Sequence, residues 1–288
     1  MSDATDIEFG GSASAIRHHY DVGNAFYREW LDPSMAYSCA MWEGLPADAP
    51  LEEAQRQKHR FHARSIHAAA GMRVLDVGCG WGEMMRTLLD EFGAAECVGL
   101  TMSEEQRAHI GHLGRKDMRA ILTNWRDYTP ERPFDGIISI GAFEHFAHPR
   151  QSVAERRHVY REFFAACRDW TEGKGRLSLQ TIAYANMTPD QANPFITGEI
   201  FPDAELPTIE DIVVASRGLF RIERLQDDGL DYARTCEEWS RRLRRAVREG
   251  RVDPQTEPAE KYSRYLRMSA AGFRMHKIGL LRIAFSPK

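Results

Sequence analysis

No window of this chain is apolar for long enough to cross a bilayer, no two cysteines stand as C-x-x-C, and basic residues are not in excess. Each absence removes a class of protein. A spanning helix needs about 20 consecutive apolar residues, so stable membrane insertion is not predicted. Cys39, Cys79, Cys97, Cys167 and Cys236 are scattered and odd in number, which gives no disulfide framework and suits a reducing cytoplasm. With 38 Lys and Arg against 42 Asp and Glu the formal net charge is −4, so no global positive field draws in nucleic acid. Histidines and carboxylates lack metal-ligand spacing, and no metal is predicted. The absence of a long heptad pattern or a bare apolar face leaves the oligomeric state unread. Met1 to Gly11 is polar and acidic, which predicts a frayed tail and no signal peptide.

What is present is an ordinary globular composition: 288 residues, 43% hydrophobic and 28% charged, enough for a substantial core. Its organising stretch is Arg73-Val74-Leu75-Asp76-Val77-Gly78-Cys79-Gly80-Trp81-Gly82. Arg73 to Val77 reads as a buried strand, three alternate glycines break it, and Glu83 to Phe92 reads as a helix. Such a turn lets a ligand approach the backbone, and the helix N-terminus behind it offers unpaired N–H groups. A dinucleotide fingerprint would space its glycines as G-x-G-x-x-G. The tighter G-x-G-x-G after Asp76 is similar to the first motif of class I S-adenosylmethionine methyltransferases, although a structural turn or another nucleotide fits this short stretch too.

Strand and helix then alternate. Before the glycine turn, Ile16, Tyr20, Phe26 and Trp30 predict two short amphipathic helices ended by Asp32-Pro33, and Leu51 to Ala70 reads as one long charged helix. After it come strands over Glu96–Met102, Met118–Thr123, Phe134–Ala142 and Arg176–Ala183. Ser103 and Gln106 predict a capping box for the helix that follows the first of these. A helix over Pro149–Trp170 carries Glu155-Arg156-Arg157, read as a solvated face. Short connections between strand, helix and strand require right-handed crossovers and a parallel sheet, with the ligand at the strand carboxyl ends. Periodicity fails between Tyr184 and Pro207, as in a lid or binding loop. Helices over Thr208–Gly218, Thr235–Gly250 and Pro258–Lys277, with strands over Phe220–Gln226 and Leu280–Phe285, complete the reading. The run Arg241-Arg242-Leu243-Arg244-Arg245 lacks aromatic interleaving and reads as a solvated helix face.

Over nearly its whole length the chain resembles the cyclopropane fatty acid synthases and mycolic acid cyclopropane or methoxy synthases. The resemblance rests on His19 to Tyr27, Leu31-Asp32-Pro33, Tyr37 to Ala40, Leu75 to Gly82, Gly99 to Ser103, Ser139 to Phe146, Glu199 to Pro202, Leu206-Pro207 and Tyr232 to Thr235, in that family's order. It implies an α/β, Rossmann-like class I methyltransferase: a mostly parallel seven-stranded sheet with helices on both faces. An N-terminal helical cap over 1–72, a core over 73–288 and a lid at about 184–207 would form one structural domain. It also implies S-adenosylmethionine held by Tyr37, Ser38, Gly78, Gly80, Thr101, Met102, Gln106, Trp125 and Ile140, with Asp76 at the strand end. Transfer of the methyl to an alkene of an unsaturated acyl or other apolar acceptor would give a carbocation. A bound bicarbonate, held by Cys39, Glu144 and Tyr232 near the Gly141 backbone, would take a proton.

Two departures qualify this. The family places a histidine where this chain has Gln180, and a carboxamide can neither charge nor shuttle a proton. Glu144 could then serve as a carboxylate base, or hold an amine or hydroxyl of the acceptor. The segment Ala183 to Phe195 is shorter than in the family, and Asp169 to Lys174 reads as an added charged loop. Both leave open a small specialised metabolite, methylated at carbon or nitrogen, or a cofactor-binding subunit without turnover. Phe143, Phe146, Phe195, Ile196, Ile200 and Phe201 read equally as an apolar channel or as core, and His145 as a core histidine.

Overall fold

Alternation along β1 (Arg73–Val77) sends Leu75 and Val77 to one face of a sheet and Val74 and Asp76 to the other. The structure, a computed structural model, describes residues 24–201 and 204–288. The first helix expected after Ser12, with His18 and His19, lies outside them. Around β1 are β2 (Glu96–Thr101), β3 (Met118–Leu122), β4 (Gly136–Ile140), β5 (Arg176–Tyr184), β6 (Phe220–Asp227) and β7 (Ile278–Pro287). They form one seven-stranded sheet of order β3-β2-β1-β4-β5-β7-β6. The first five strands pair in parallel, and β7 runs antiparallel between β5 and β6. Strand order reverses between β1 and β4, which opens a crevice at their carboxyl ends.

The helices are α1 (Asn24–Arg28), α2 (Leu51–Ser65), α3 (Glu83–Phe92), α4 (Glu104–His112), α5 (Val153–Trp170), α6 (Ile209–Ser216), α7 (Gly229–Arg248) and α8 (Glu257–Arg274). Val74, Cys97 and Ile138 pack on Ala63 of α2, Met84 and Leu88 of α3 and Ile110 of α4. On the opposite face Leu75, Ile137 and Leu179 meet Tyr160, Phe163 and Phe164 of α5 and Ile212 of α6. A third cluster joins Tyr27, Trp30 and Trp42 to Trp239 of α7 and Tyr262 and Leu266 of α8. Residues before β1 and the helices between β6 and β7 thus pack together.

Several boundaries differ from expectation for physical reasons. The helix starting at Leu51 ends at Ser65, and His67 then adopts a left-handed φ of 56°. The strand expected over Phe134–Ala142 keeps only Gly136–Ile140, because a 3₁₀ turn at Phe143–His145 follows directly. The helix expected from Pro149 starts at Val153, where Ser152 and Glu155 form a full capping box. At Ser103 only half of the predicted box forms: its hydroxyl accepts from the Gln106 N–H, while the Gln106 side chain turns to Thr101. The helix expected from Thr235 begins at Gly229, so Tyr232 is helical. Arg156 and Arg157 are not a solvated face; they reach Glu205 at 3.5 Å and Asp211 at 2.7 Å, tying α5 to the segment before α6 and to α6 itself. Likewise Arg242, in the basic run, is shared between Glu238 and Glu52, and Leu243 is buried. Helix α5 ends at Trp170, as expected, so Asp169 and Trp170 are helical and only Thr171 to Lys174 are left to the added loop.

Just past β1, Gly78 sits against the turn that follows β4. Its φ is +82°, and an added Cβ would lie 2.5 Å from the Ala142 Cβ. Gly78→Ala is expected to lose about 1–3 kcal/mol of stability by urea denaturation, from backbone strain plus this contact; a loss below about 0.5 kcal/mol would mean that the Ala142 turn yields freely.

Candidate functional site

A cavity of about 590 Å³ occupies the crevice. Its first wall is the glycine turn. Gly80, at φ +54°, has nothing within 4 Å of where a Cβ would point, so the backbone there is open to a ligand. Gly82 starts α3 without a side-chain cap, which leaves first-turn N–H groups unclaimed by side chains. At the end of β2 the Thr101 hydroxyl donates to Gln106 Oε1 at 2.7 Å. This fixes the Gln106 amide, and both residues line the cavity beside Met102. Trp125 forms another wall, braced by Phe146 and Phe163 with ring centroids 5.3 and 5.5 Å away. Ile140, Tyr37 and Ser38 also face the space.

One row of groups was not found in the sequence. Gln55, Lys58, His59 and His62 recur every three or four residues on the buried face of α2, a polar stripe where apolar residues were expected. That spacing was the available signal. Gln55 donates to the Ala36 and Ser38 carbonyls and shapes the loop. Lys58 Nζ donates to Ser38 Oγ at 2.8 Å. Burial pulls the Lys58 ammonium down to about 8, and pushes the Asp76 carboxyl up to about 7 against the opposing effect of Lys58. His59 is driven below its ordinary range by burial and then by Lys58, and its Nδ1 has no partner among the described residues.

Beyond the glycine turn Glu144, Gln180 and Tyr232 converge on the same cavity. Glu144 Oε1 accepts from the Ile182 N–H at 2.6 Å, and Oε2 has no partner among the described residues. Burial raises the Glu144 carboxyl to about 7, even against that hydrogen bond. The Tyr232 ring stacks on Phe273 with centroids 4.6 Å apart. Gly141 N–H donates to the Gln180 carbonyl at 2.9 Å. Cys39 is not on the wall. Its thiol is wholly buried, lies 3.1 Å from the Ala40 carbonyl and is pushed up to about 12 by burial. His145 faces the cavity as a neutral imidazole, lowered to about 4 by burial.

The six apolar residues divide. Phe146, Ile196, Ile200 and Phe201 line the cavity. Phe143 is core, stacked on Tyr160 at 4.4 Å, and Phe195 is buried beneath the Arg264 guanidinium at 4.1 Å. Among the described residues no group of His, Cys, Asp and Glu could hold a metal ion, and no helix is long and apolar enough to cross a membrane. Glycine backbone, hydroxyls, an amide, a flat aromatic and buried groups of both charges fit S-adenosylmethionine, which carries a base, a ribose, a sulfonium and an amino-acid end.

A family model described as mycolic acid cyclopropane synthetase matches residues 10–283. The chain is 35% identical over 280 residues, 90% of each chain, to cyclopropane mycolic acid synthase 2 of Mycobacterium bovis. Among solved structures it is similar to the cyclopropane synthase MmaA2 from Mycobacterium tuberculosis, with a TM-score of 0.84 and 31% identity over 97% of this chain and 99% of that one. It is similar also to mycolic acid cyclopropane synthase CmaA1 complexed with SAH and CTAB, with a TM-score of 0.83 and 31% identity over the same shares.

Glu144 makes a pH prediction independent of activity. Its folded value of about 7 exceeds the ordinary 4.5, so the folded state binds the proton more tightly. The stability this confers is full below about 4.5 and is lost as pH rises through about 7. Glu144→Gln lacks that titration. Its stability relative to the parent should therefore rise from pH 4 to pH 8, by an amount of order 3 kcal/mol; a difference that stays flat with pH would refute the raised carboxyl.

Proposed function

The chain belongs to the mycolic acid cyclopropane synthetase family of S-adenosylmethionine-dependent methyltransferases, and from that premise we propose that it methylates an alkene carbon of an unsaturated acyl chain. The observation that carries this is the continuity of the cavity. It runs from the glycine turn past Glu144 into an apolar stretch walled by Ile196, Ile200, Phe201, Leu206 and Met268, the form a hydrocarbon acceptor requires.

Tyr37, Ser38, Asp76, Gly78, Gly80, Thr101, Met102, Gln106, Trp125 and Ile140 would hold the cofactor, with Lys58 supplying a positive charge beside Ser38. Bound there, S-adenosylmethionine supplies an electrophilic methyl group, and an alkene that accepts it becomes a carbocation. The residues around the acceptor then have three tasks. Phe146, Ile200 and Phe201 exclude water, which would otherwise quench the cation. The ring of Tyr232 offers a π face to it. Glu144, poised near neutrality with Oε2 unclaimed, takes the proton whose loss from the added carbon closes a three-membered ring. Glu144, Gln180 and Tyr232 are the residues that would hold a bicarbonate, which would supply a further proton acceptor there. Residues 184–201 and 204–207 would serve as a lid over the acceptor. The five cysteines are free thiols, which supports a cytoplasmic location.

The test is incubation with methyl-labelled S-adenosylmethionine and, separately, lipid and polar metabolite extracts, with and without bicarbonate, followed by mass spectrometry. Label should enter unsaturated acyl chains; label confined to a polar metabolite would redirect the reading to small-molecule methylation. Because Glu144 must be ionised to accept a proton, the rate should climb with pH and level off above about 7. Glu144→Gln should lower kcat by about 10²–10⁴-fold, with S-adenosylhomocysteine affinity held within about twofold. Unchanged turnover in that variant would remove Glu144 from the chemistry.

A further inference from the structure

Two buried polar side chains behind Gln180, His62 and Arg282, have no role in the account above. Gln180 on β5 and Arg282 on β7 are direct cross-strand partners in the antiparallel register and share a face of the sheet. Arg282 Nε donates to Gln180 Oε1 at 2.9 Å. A guanidinium only donates, so the atom it meets must be the amide oxygen, which settles which way the carboxamide points. From the other side His62 Nε2 lies 3.3 Å from the same oxygen. That oxygen only accepts, so His62 carries its proton on Nε2, and Nδ1 accepts from the Ser178 hydroxyl at 2.8 Å. The histidine is held neutral by burial and by the nearby Arg282 charge.

With both donors on its oxygen, Gln180 turns its NH2 the other way. Gln180 lines the cavity while being 1% exposed. Opposite, Glu144 is anchored by the Ile182 N–H, two residues along the same face of β5, and presents the unpartnered Oε2. We propose that His62 and Arg282 are positioning residues that lock Gln180 as a hydrogen-bond donor, so that its NH2 gives the cavity a fixed donor for an sp² oxygen. Two sources share that chemistry, a free planar oxyanion and a carbonyl of the acceptor. This deepens the methyltransfer reading and rests on it only for the second source. It also assigns a different task to the position where the resemblance expects a histidine: a fixed donor in place of a titrating group.

Gln180→Glu is the informative change. It has nearly the same shape and keeps an oxygen for Arg282 and His62, and Arg282 beside it keeps the new carboxylate ionised. The cavity then meets an acceptor where it had a donor. Bicarbonate is titrated into protein saturated with S-adenosylhomocysteine and followed calorimetrically, and methyl transfer to the labelled acyl acceptor is measured in parallel. Bicarbonate binding that weakens at least tenfold in Gln180→Glu, with S-adenosylhomocysteine affinity unchanged, supports the proposal with a free oxyanion as ligand. No bicarbonate binding, but KM for the acceptor raised at least tenfold at similar cofactor affinity, supports it with a substrate carbonyl. Unchanged bicarbonate binding and unchanged KM overturn it. His62→Leu should reproduce part of the loss and His62→Gln, which restores a donor, should recover it; equal effects of both would assign His62 to packing alone. If the parent protein transfers methyl to no acyl acceptor, the functional reading fails, and the bicarbonate titration then decides this proposal alone: binding weakened in Gln180→Glu supports it, and binding absent or unchanged overturns it.

Discussion

Arg282 has no water to turn to. Its side chain is 0% exposed, and a buried guanidinium is stable only when its donors are met. The donors go to parts of the chain that are otherwise far apart: Gln180 on β5, Asp228 at the start of α7, and the Ala40 carbonyl, 2.9 Å away in the loop that carries Tyr37 and Ser38. One side chain therefore fixes the β5–β7 pair of the sheet, the entry to α7 and the loop over the cofactor cleft against each other. Trp42, whose indole N–H and backbone N–H are held by Thr235 and Asp231, fastens the same loop to α7 a few residues further on. Loss of the guanidinium would leave Asp228 with only the Gln226 amide as a donor and the Gln180 oxygen with only His62, and would cut the tie between these elements on which the cavity's geometry depends.

The same burial that makes such pairing obligatory sets the chemistry. Asp76, Lys58 and Glu144 are all drawn toward neutrality by desolvation, to about 7, 8 and 7. A carbocation survives only in a place from which water is excluded, and exclusion of water is also what raises a carboxyl. The proton acceptor of such a reaction is thus brought near the working pH by the requirement that protects the reacting carbon. No separate device is needed.

Legibility followed the range of the signals. The strand, glycine turn and helix from Arg73 to Phe92 were readable because each rests on neighbours within a few positions, and α3 has the bounds that periodicity gave. Glu144, Tyr232 and Gln180 were reached through the family resemblance and do converge on one cavity, whereas Cys39, singled out on the same grounds, is turned into the core. Arg282 was not found at all. It stands inside an apolar strand, and its partners are 102 and 242 residues away, separations at which no local pattern speaks. The polar stripe on α2 was missed for another reason: a charged, helical stretch ordinarily faces solvent, and only the packed structure reveals that this face meets β5 and the cavity instead.

Gln180 ties these threads together. A histidine at this position of β5 would offer two nitrogens, one to the ligand and one to a partner, and could take up a proton near neutral pH. A carboxamide divides the same duties differently. Its oxygen satisfies Arg282 and His62, its NH2 is left for the cavity, and neither end titrates. Arg282 would repel a protonated histidine at that position, so the cation behind the strand and the uncharged residue in front of it are mutually consistent. Proton uptake must then fall on a neighbouring group, and Glu144, fixed by one oxygen and unclaimed at the other, is the titratable group beside Gln180 whose environment meets that demand.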